Sequence, residues 1–170
     1  MNADELRAIQ APLKGSYKVS PEIALITLKS TGELDADDVV CRVETGPARV
    51  EAGLHPATGG SGSLACSGNM LLDALVACAG VTLKAVATAI GFNLEGGSVA
   101  AEGDLDFRGT LGVGKDAAVG FRDIRLTFHL RTDEPQERID QLIKLTERYC
   151  VVFQTIAKAP GLAVSVDRHA

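Results

Sequence analysis

One long apolar segment, residues 67–91, does most to limit how this chain can fold. Ser67 or Asn69 can cap a helix at its start, and Gly91 can end it. Alanine and glycine are frequent in the segment, so neighbouring elements can approach it closely. We predict a central helix around which the rest of the chain packs. The positions that recur along one stripe at spacings of three and four are Leu71, Leu75, Cys78, Thr82, Ala85 and Ala89.

Residues 39–44 and 49–54 predict a β-hairpin around the loop 45–48. Alternate positions place opposite charges on one face of the pair and apolar side chains on the other, which is typical of two antiparallel strands. Cys41 is then a core residue, and Arg42 and Arg49 belong to a solvated charge ladder. The predicted cross-strand pairs are Glu44–Arg49, Arg42–Glu51, Val43–Val50 and Cys41–Ala52.

The remaining patterns predict an α+β domain over residues 1–170, with residues 1–20 as an N-terminal arm. No alternating strand–helix–strand pattern is present. Residues 32–38 are typical of a polar turn, and residues 55–62 of a glycine-containing loop. Predicted helices cover residues 4–13, 134–149 and 151–158, and predicted strands cover residues 22–29, 98–108, 120–131 and 162–167.

Composition excludes several classes of protein. The chain has 170 residues, 46% of them hydrophobic and 23% charged, which is typical of one folded domain. A net charge of −5 without a basic cluster argues against nucleic-acid binding. The first residues lack the pattern of a secretory signal, and the apolar stretch 76–92 contains Lys84 and is short for a membrane span. We therefore expect a cytoplasmic protein with no membrane partner.

The cysteines indicate redox chemistry rather than a metal site or a disulfide framework. They are not arranged as Cys-x-x-Cys, and the histidines do not cluster with them, so we expect no metal and no cofactor. A structural disulfide framework is not expected in a reducing compartment. The four cysteines are Cys41, Cys66, Cys78 and Cys150, and the three histidines are His55, His129 and His169.

Two cysteine motifs resemble those of the OsmC/Ohr family. Residues 71–80 have the form Leu-Leu-x-Ala-Leu-x-x-Cys-x-Gly, similar to the peroxidatic helix of that family. Residues 147–152 read Glu-Arg-Tyr-Cys-Val-Val and resemble its second cysteine motif. Residues 99–109 and 120–124 also match in style, and the resemblance covers about residues 22–166. It implies an OsmC-like fold in which two curved antiparallel sheets surround central helices in an intertwined homodimer, with active sites at the subunit interface.

The resemblance also implies a two-cysteine peroxidase mechanism. Cys78 would attack an organic hydroperoxide as the thiolate, release an alcohol and become a sulfenic acid. Cys150 would resolve the sulfenic acid as a disulfide, which an external dithiol would then reduce. An aliphatic pocket would favour organic hydroperoxides over hydrogen peroxide, because burial of the apolar tail adds binding energy.

One part of the family pattern is missing. The strongly peroxidatic branch has an Asn-Pro-Glu signature at the start of the central helix and an upstream arginine, whereas this chain reads Ser-Gly-Asn-Met at residues 67–70. Asp73, the nearest acid, lies about 140° around the helix from Cys78. The activating cation is left open among Lys29, Arg42 and Arg49, as is a redox role for Cys66. The alternative is a non-enzymatic OsmC-like dimer that binds a small apolar ligand or senses oxidants.

Overall fold

The computed structural model describes residues 1–46 and 48–168, so that Pro47, His169 and Ala170 lie outside the described part of the chain. Short 3₁₀ turns at Pro21–Ala24 and Pro56–Thr58 connect the regular elements. The helices are α1 (Ala3–Val19), α2 (Ser67–Ala89), α3 (Phe107–Thr110), α4 (Gln136–Tyr149) and α5 (Val151–Ala157). The strands are β1 (Gly32–Leu34), β2 (Val40–Thr45), β3 (Ala48–Gly53), β4 (Ala65–Cys66), β5 (Gly96–Asp104) and β6 (Asp123–Arg131).

The strands form two separate sheets. The first has the order β1-β2-β3-β4, and the second is the pair β5-β6. Neighbours are antiparallel except that β4 runs parallel to β3. The prediction of purely antiparallel sheets was therefore wrong for this pair. The loop 54–64 brings β4 beside the last two residues of β3, Ala52 and Gly53, in the same chain direction.

The predicted hairpin is confirmed in register. All four predicted cross-strand pairs lie opposite each other in β2 and β3. The strands extend to Thr45 and Ala48, so the loop is shorter than predicted. Arg42 donates from Nε to Glu51 Oε1 at 2.9 Å, but Arg49 pairs with Glu33 of β1 at 3.6 Å. That strand lies in the segment predicted as a turn, because its three residues find a pairing edge on β2.

Helix α2 is the predicted central helix, with its buried line displaced from the predicted one. The fully buried residues follow a spacing of four, whereas Leu71 is 41% exposed and Cys78 is half-buried. The displacement arises because α4, α5 and β5 all pack against α2. The spacing of apolar residues predicts that one face of the helix is buried, but it does not show which other elements pack against that face. The buried residues of α2 are Leu75, Ala79, Leu83 and Ala87.

The two ends of α2 differ in how they are capped. Cys66 is the N-cap residue, and its side chain forms no capping hydrogen bond. The prediction that Ser67 or Asn69 caps the helix was therefore wrong. At the other end Gly91 has a φ of +61°, and the amide of Phe92 donates to the carbonyl of Ala87 at 2.9 Å. A left-handed glycine after the last turn ends the helix as predicted.

The hydrophobic core joins α2, α4 and the β5-β6 sheet. Leu83, Ala87, Phe92 and Leu142 form one buried cluster. Strand β6 supplies alternate residues to it, since its exposed and half-buried positions strictly alternate. Helix α2 is long and apolar enough to cross a membrane by length and composition. The core helix of a water-soluble fold meets the same criteria, and α2 supplies much of this core.

Both ends of the chain depart from the predicted elements. The N-terminal helix continues through Pro12 to Val19. The predicted strand at 22–29 begins as a 3₁₀ turn at Pro21–Ala24 and then has no regular structure, and the predicted strand at 162–167 has none. Their side chains are exposed, with Leu28 at 90% and Val164 at 95%. A strand requires a hydrogen-bonding partner, and the described residues of this one chain provide none for either segment.

Candidate functional site

The two predicted cysteines come together at the junction of three helices. Cys78 lies in the middle of α2 and is half-buried. Cys150 lies between α4 and α5, is 1% exposed and has extended backbone angles (φ −74°, ψ 109°) that end one helix and begin the next. Its amide donates to the carbonyl of Thr146 at 2.9 Å. This change of direction places the first turn of α5 beside Cys78.

Four hydrogen-bonding groups act on the Cys78 thiol. They are the backbone amides of Val152 and Val151, the thiol of Cys150 and the hydroxyl of Thr82. The first amides of a helix have no partner within that helix, so α5 has them free for a sulfur anion. Thr82 lies one turn after Cys78 on α2, so its side chain is on the same face.

These donors oppose the effect of burial on the Cys78 thiol. Burial is the largest single effect and raises the pKa, but the Val152 amide, the Cys150 thiol, the Val151 amide and the Thr82 hydroxyl together lower it below its ordinary value. Hydrogen bonds to the sulfur favour the thiolate because they replace water around its charge. Cys78 is therefore the better nucleophile of the pair at neutral pH.

Cys150 has the opposite behaviour. Burial raises the pKa of its thiol most, and the sulfur of Cys78 raises it further. A Cys150 that remains protonated can donate its S–H to the Cys78 thiolate. The pair therefore consists of a thiol with a lowered pKa beside a thiol with a raised pKa, an arrangement that suits attack by the first and resolution by the second.

A largely apolar cavity of about 480 Å³ lies within one helical turn of both cysteines, although neither cysteine lines it. It lies between α2, β6, α4 and α5, and its wall includes Leu75, one turn before Cys78, and Phe153, one turn after Cys150. Three charged residues also line it, namely Arg122, Asp123 and Glu147. A cavity of this size and lining suits an organic molecule with an apolar body.

In the described part of the chain, the two candidate arginines are paired with acids and the candidate lysine is exposed. Arg42 is bound by Asp35 at 2.5 Å and by Glu51 at 2.9 Å. Arg49 pairs with Glu33, and Lys29 is exposed in the irregular segment after α1. Asp73 is exposed on α2. The groups with the largest effects on the Cys78 pKa are all uncharged.

The other cysteines and the loop histidine lie apart from the pair. Cys66 is half-buried at the start of α2 and lines a separate cavity with His55. The His55 ring stacks on Phe107 at a centroid distance of 4.7 Å, and its Nδ1 accepts from the Ala57 amide at 3.0 Å. His55 therefore supports the loop, and the half-buried Cys41 faces Ala52 in the hairpin.

Sequence reasoning missed the groups that activate Cys78. Thr82 was assigned to a packing stripe, although its spacing of four from Cys78 places both on one face. The amides of Val151 and Val152 have no side-chain signal. The predicted helix start directly after Cys150 was the one indication that free amides would lie near that sulfur.

Comparison with known protein families identifies the fold. A profile of the OsmC family, described as OsmC-like protein, matches residues 60–165 and so spans both cysteines of the site. The chain belongs to the OsmC-like protein family. No curated protein is significantly similar in sequence to this OsmC-like chain.

Solved structures share the OsmC-like fold at low sequence identity. The OsmC-like protein of Mycoplasma pneumoniae is 16% identical, with a TM-score of 0.66 over 79% of this chain and 89% of its own. The organic hydroperoxide resistance protein OsmC of Legionella pneumophila is 16% identical, with a TM-score of 0.61 over 79% of this chain and 93% of its own. A Vibrio cholerae protein with captopril bound in one of its active sites is 15% identical, with a TM-score of 0.58 over 79% of this chain and 88% of its own.

Proposed function

We propose that this OsmC-like protein is a thiol-dependent peroxidase that reduces organic hydroperoxides through Cys78 and Cys150. The observation that carries the proposal is the pairing of a half-buried thiol with a lowered pKa and a buried thiol with a raised pKa, each of which affects the other. The solved relatives that are organic hydroperoxide resistance proteins support the substrate class. An antioxidant role in the stress response follows from this activity.

The first step oxidises Cys78. The Cys78 thiolate attacks the terminal peroxide oxygen, the O–O bond breaks, and the alkoxide takes a proton and leaves as an alcohol. The sulfur becomes a sulfenic acid, so two electrons pass from sulfur to the peroxide. The amides of Val151 and Val152 and the Thr82 hydroxyl support the thiolate before attack. In this chain these groups would stabilise the thiolate in place of the glutamate and arginine of the strongly peroxidatic branch.

The second step forms a disulfide. The Cys150 sulfur attacks the sulfenic sulfur, water leaves, and an S–S bond of about 2.05 Å closes. The two thiols already lie close enough to shift each other's pKa, which supports this step. An external dithiol then returns both cysteines to thiols. Captopril itself contains a thiol, and its place in the Vibrio cholerae active site supports entry of small thiols into sites of this fold.

The apolar cavity beside the pair supports an organic rather than an inorganic peroxide. Its wall between α2 and β6 is formed mainly by leucine, isoleucine and phenylalanine. Burial of a substrate's hydrocarbon contributes about 25 cal/mol per Å² of apolar surface. Hydrogen peroxide has no such surface, so cumene hydroperoxide should react with a higher second-order rate constant.

Thiol titration with and without cumene hydroperoxide tests the proposal. We expect the loss of two thiols per chain, release of the alcohol in equal amount, and a Cys78–Cys150 disulfide on peptide mass spectrometry. Cys78→Ser should abolish peroxide consumption, while Cys66→Ser, a matched control at a half-buried cysteine outside the pair, should retain it. Unchanged consumption by Cys78→Ser would show that the proposal is wrong.

We also propose that the protein is an intertwined homodimer of curved sheets. The chain exposes 12596 Å², whereas a compact monomer of 17.7 kDa exposes about 7,900 Å². Stable obligate dimers bury roughly 2,000–5,000 Å² or more in total. A second copy could cover the exposed apolar side chains of the unpaired segments 22–29 and 162–167. Sedimentation equilibrium tests the dimer, and a monomer at micromolar concentration would contradict it.

A non-enzymatic oxidant sensor or apolar-ligand binder is the second candidate. It is favoured by the lack of a charged group among the main effects on Cys78 and by the apolar cavity. A sensor would lose its two thiols once and turn over slowly with a dithiol present, whereas a peroxidase would consume many equivalents. A binder would co-purify with an apolar ligand and leave its thiols unaltered. We propose a cytoplasmic location for either function.

A further inference from the structure

The apolar cavity beside the cysteine pair has a charged rim in which acids outnumber cations. Arg122 and Asp123 lie where β6 begins, and Glu147 lies on α4 one turn before Cys150. All three are exposed. The other lining residues are leucine, isoleucine, phenylalanine and one alanine. A ligand that enters the cavity therefore passes two negative charges and one positive charge before it reaches an apolar wall.

The two acids of the rim are not neutralised by a paired cation. Within residues 1–46 and 48–168, neither Asp123 nor Glu147 forms an ion pair. The Gln154 side chain donates to the backbone carbonyl of Glu147 at 2.8 Å, not to its carboxylate. Carboxylates in this state repel an anionic ligand.

The cation of the rim is shared with acids outside the cavity. A hydrogen bond from Arg125 lowers the pKa of Asp104 most. A hydrogen bond from Arg108 lowers the pKa of Asp106 most. The charge of Arg122 lowers both pKa values further, so it acts on two carboxylates that do not line the cavity. Its attraction for the carboxylate of a ligand is therefore divided, and the rim as a whole is negative.

We propose that this rim selects the substrate by charge, so that the protein accepts uncharged hydroperoxides and excludes those that carry a free carboxylate. Asp123 and Glu147 are then specificity-determining residues, and the substrate is an alkyl, aryl or esterified hydroperoxide. The inference rests on the proposed function, because it specifies the substrate class of the same site. It leaves every step of the peroxidase reaction unchanged.

The size and lining of the cavity make this exclusion effective. A sphere of about 480 Å³ is only about 10 Å across, which is also about the Debye length in 0.1 M salt. A carboxylate anywhere in the cavity therefore lies within the field of the rim. It would also lose hydrating water against the apolar wall without gaining an unshared cation in return.

Binding of two unreactive alcohols tests the inference without redox chemistry. The compounds are cumyl alcohols that carry a para carboxamide or a para carboxylate, so they have nearly the same shape and differ in charge at pH 7. Methyl chemical shifts of Ile124, Ile143 and Ile156, which all line the cavity, report where each compound binds. The readout is the Kd of the carboxylate divided by the Kd of the carboxamide, because this ratio removes effects common to both compounds.

The ratio should depend on the charges of the rim. We expect a ratio of about five or more in the wild type. Asp123→Asn/Glu147→Gln removes both acids and should lower the ratio about fivefold, whereas Arg122→Gln leaves only the acids and should raise it about twofold. The matched control Asp37→Asn/Glu95→Gln makes the same change in net charge at exposed acids outside the cavity and should leave the ratio within about twofold.

Three results would overturn the inference. Equal affinity of the wild type for the two alcohols would show that the rim does not discriminate. Equal effects of the two double variants would mean that only the overall charge of the protein matters. Absence of shifts at the three isoleucines with the carboxamide would show that the cavity is not the ligand site. Failure of the proposed function is detected separately, as a lack of cumene hydroperoxide consumption, and it does not alter the binding ratio of the alcohols.

Discussion

Cys150 lies beside Cys78, and the interaction of the two thiols lowers the pKa of Cys78 and raises that of Cys150. The same junction directs the first amides of α5 at the Cys78 sulfur. One turn of backbone therefore activates one thiol and positions the other. This division of roles does not require a charged side chain, and it can be tested group by group.

Replacement of Val151 by proline tests the contribution of a backbone amide. Val151 is the first residue of α5, and Cys150 before it is extended, so proline fits this position without breaking the helix. Loss of the amide should raise the pKa of Cys78 and slow its alkylation by iodoacetamide at pH 7 by roughly threefold or more. Peptide-resolved alkylation rates measure this across pH. Val151→Ala keeps the amide and should retain the wild-type pH profile; the same profile in both variants would rule out the amide's role.

The Thr82 hydroxyl should contribute in the same direction. Thr82→Val preserves shape but removes the donor to Cys78, so the Cys78 pKa should rise and the plot of alkylation rate against pH should shift to higher pH. Thr82→Ser restores a hydroxyl and should recover most of the wild-type behaviour. If valine and serine give the same profile, packing rather than hydrogen bonding explains the effect of Thr82.

Leu142 is the best single test of the core. Its side chain is fully buried and joins α4 to Leu83 and Ala87 of α2. Leu142→Ala should lower the free energy of unfolding by about 2–5 kcal/mol, since it removes buried methyl groups and leaves a cavity. Urea denaturation measures the change. Lys144→Ala on the exposed face of α4 is the control and should change stability by less than about 0.5 kcal/mol.

Arg138 fastens α4 to the end of α2. Its Nη2 donates to the carbonyls of Ile90 and Gly91, each at 3.2 Å, and its Nε donates to Glu134 at 3.3 Å. Arg138→Ala should lower the free energy of unfolding by about 1–3 kcal/mol in urea denaturation. Arg138→Lys should recover only part of the loss, because a lysine cannot reproduce the forked donors. Full recovery with lysine would mean that charge alone matters at this site.

The hairpin should contribute an acid-dependent part of the stability. Hydrogen bonds from the amides of Asp38 and Asp37, and then from Arg42, lower the pKa of Asp35 to about 2. A carboxyl with a lowered folded-state pKa stabilises the fold above its unfolded pKa of about 3.9, and this stability is lost as pH falls towards 2. Asp35→Asn should therefore be less stable than wild type at pH 7 and lose less stability on acidification. Parallel curves for the two proteins between neutral pH and about pH 2 would contradict this assignment.

Local patterns predicted the parts of the fold that local interactions determine. The hairpin register was predictable because charges and apolar residues alternate on both strands. The end of α2 was predictable because Gly91 alone suits a left-handed residue at that place. The unpaired segments 22–29 and 162–167 were mispredicted as strands. Their residue pattern indicates a β propensity, but a strand also requires a neighbouring strand to which it can hydrogen-bond.

The sequence by itself predicted that Cys78 and Cys150 form the site, since their surrounding motifs resemble those of the OsmC/Ohr family. Only the tertiary structure decided how Cys78 is activated. Its donors include two backbone amides, and an amide is the same in every residue, so no side-chain pattern marks it. Their value comes from the break between α4 and α5 at Cys150, which leaves them unpaired and directs them at a sulfur on another helix.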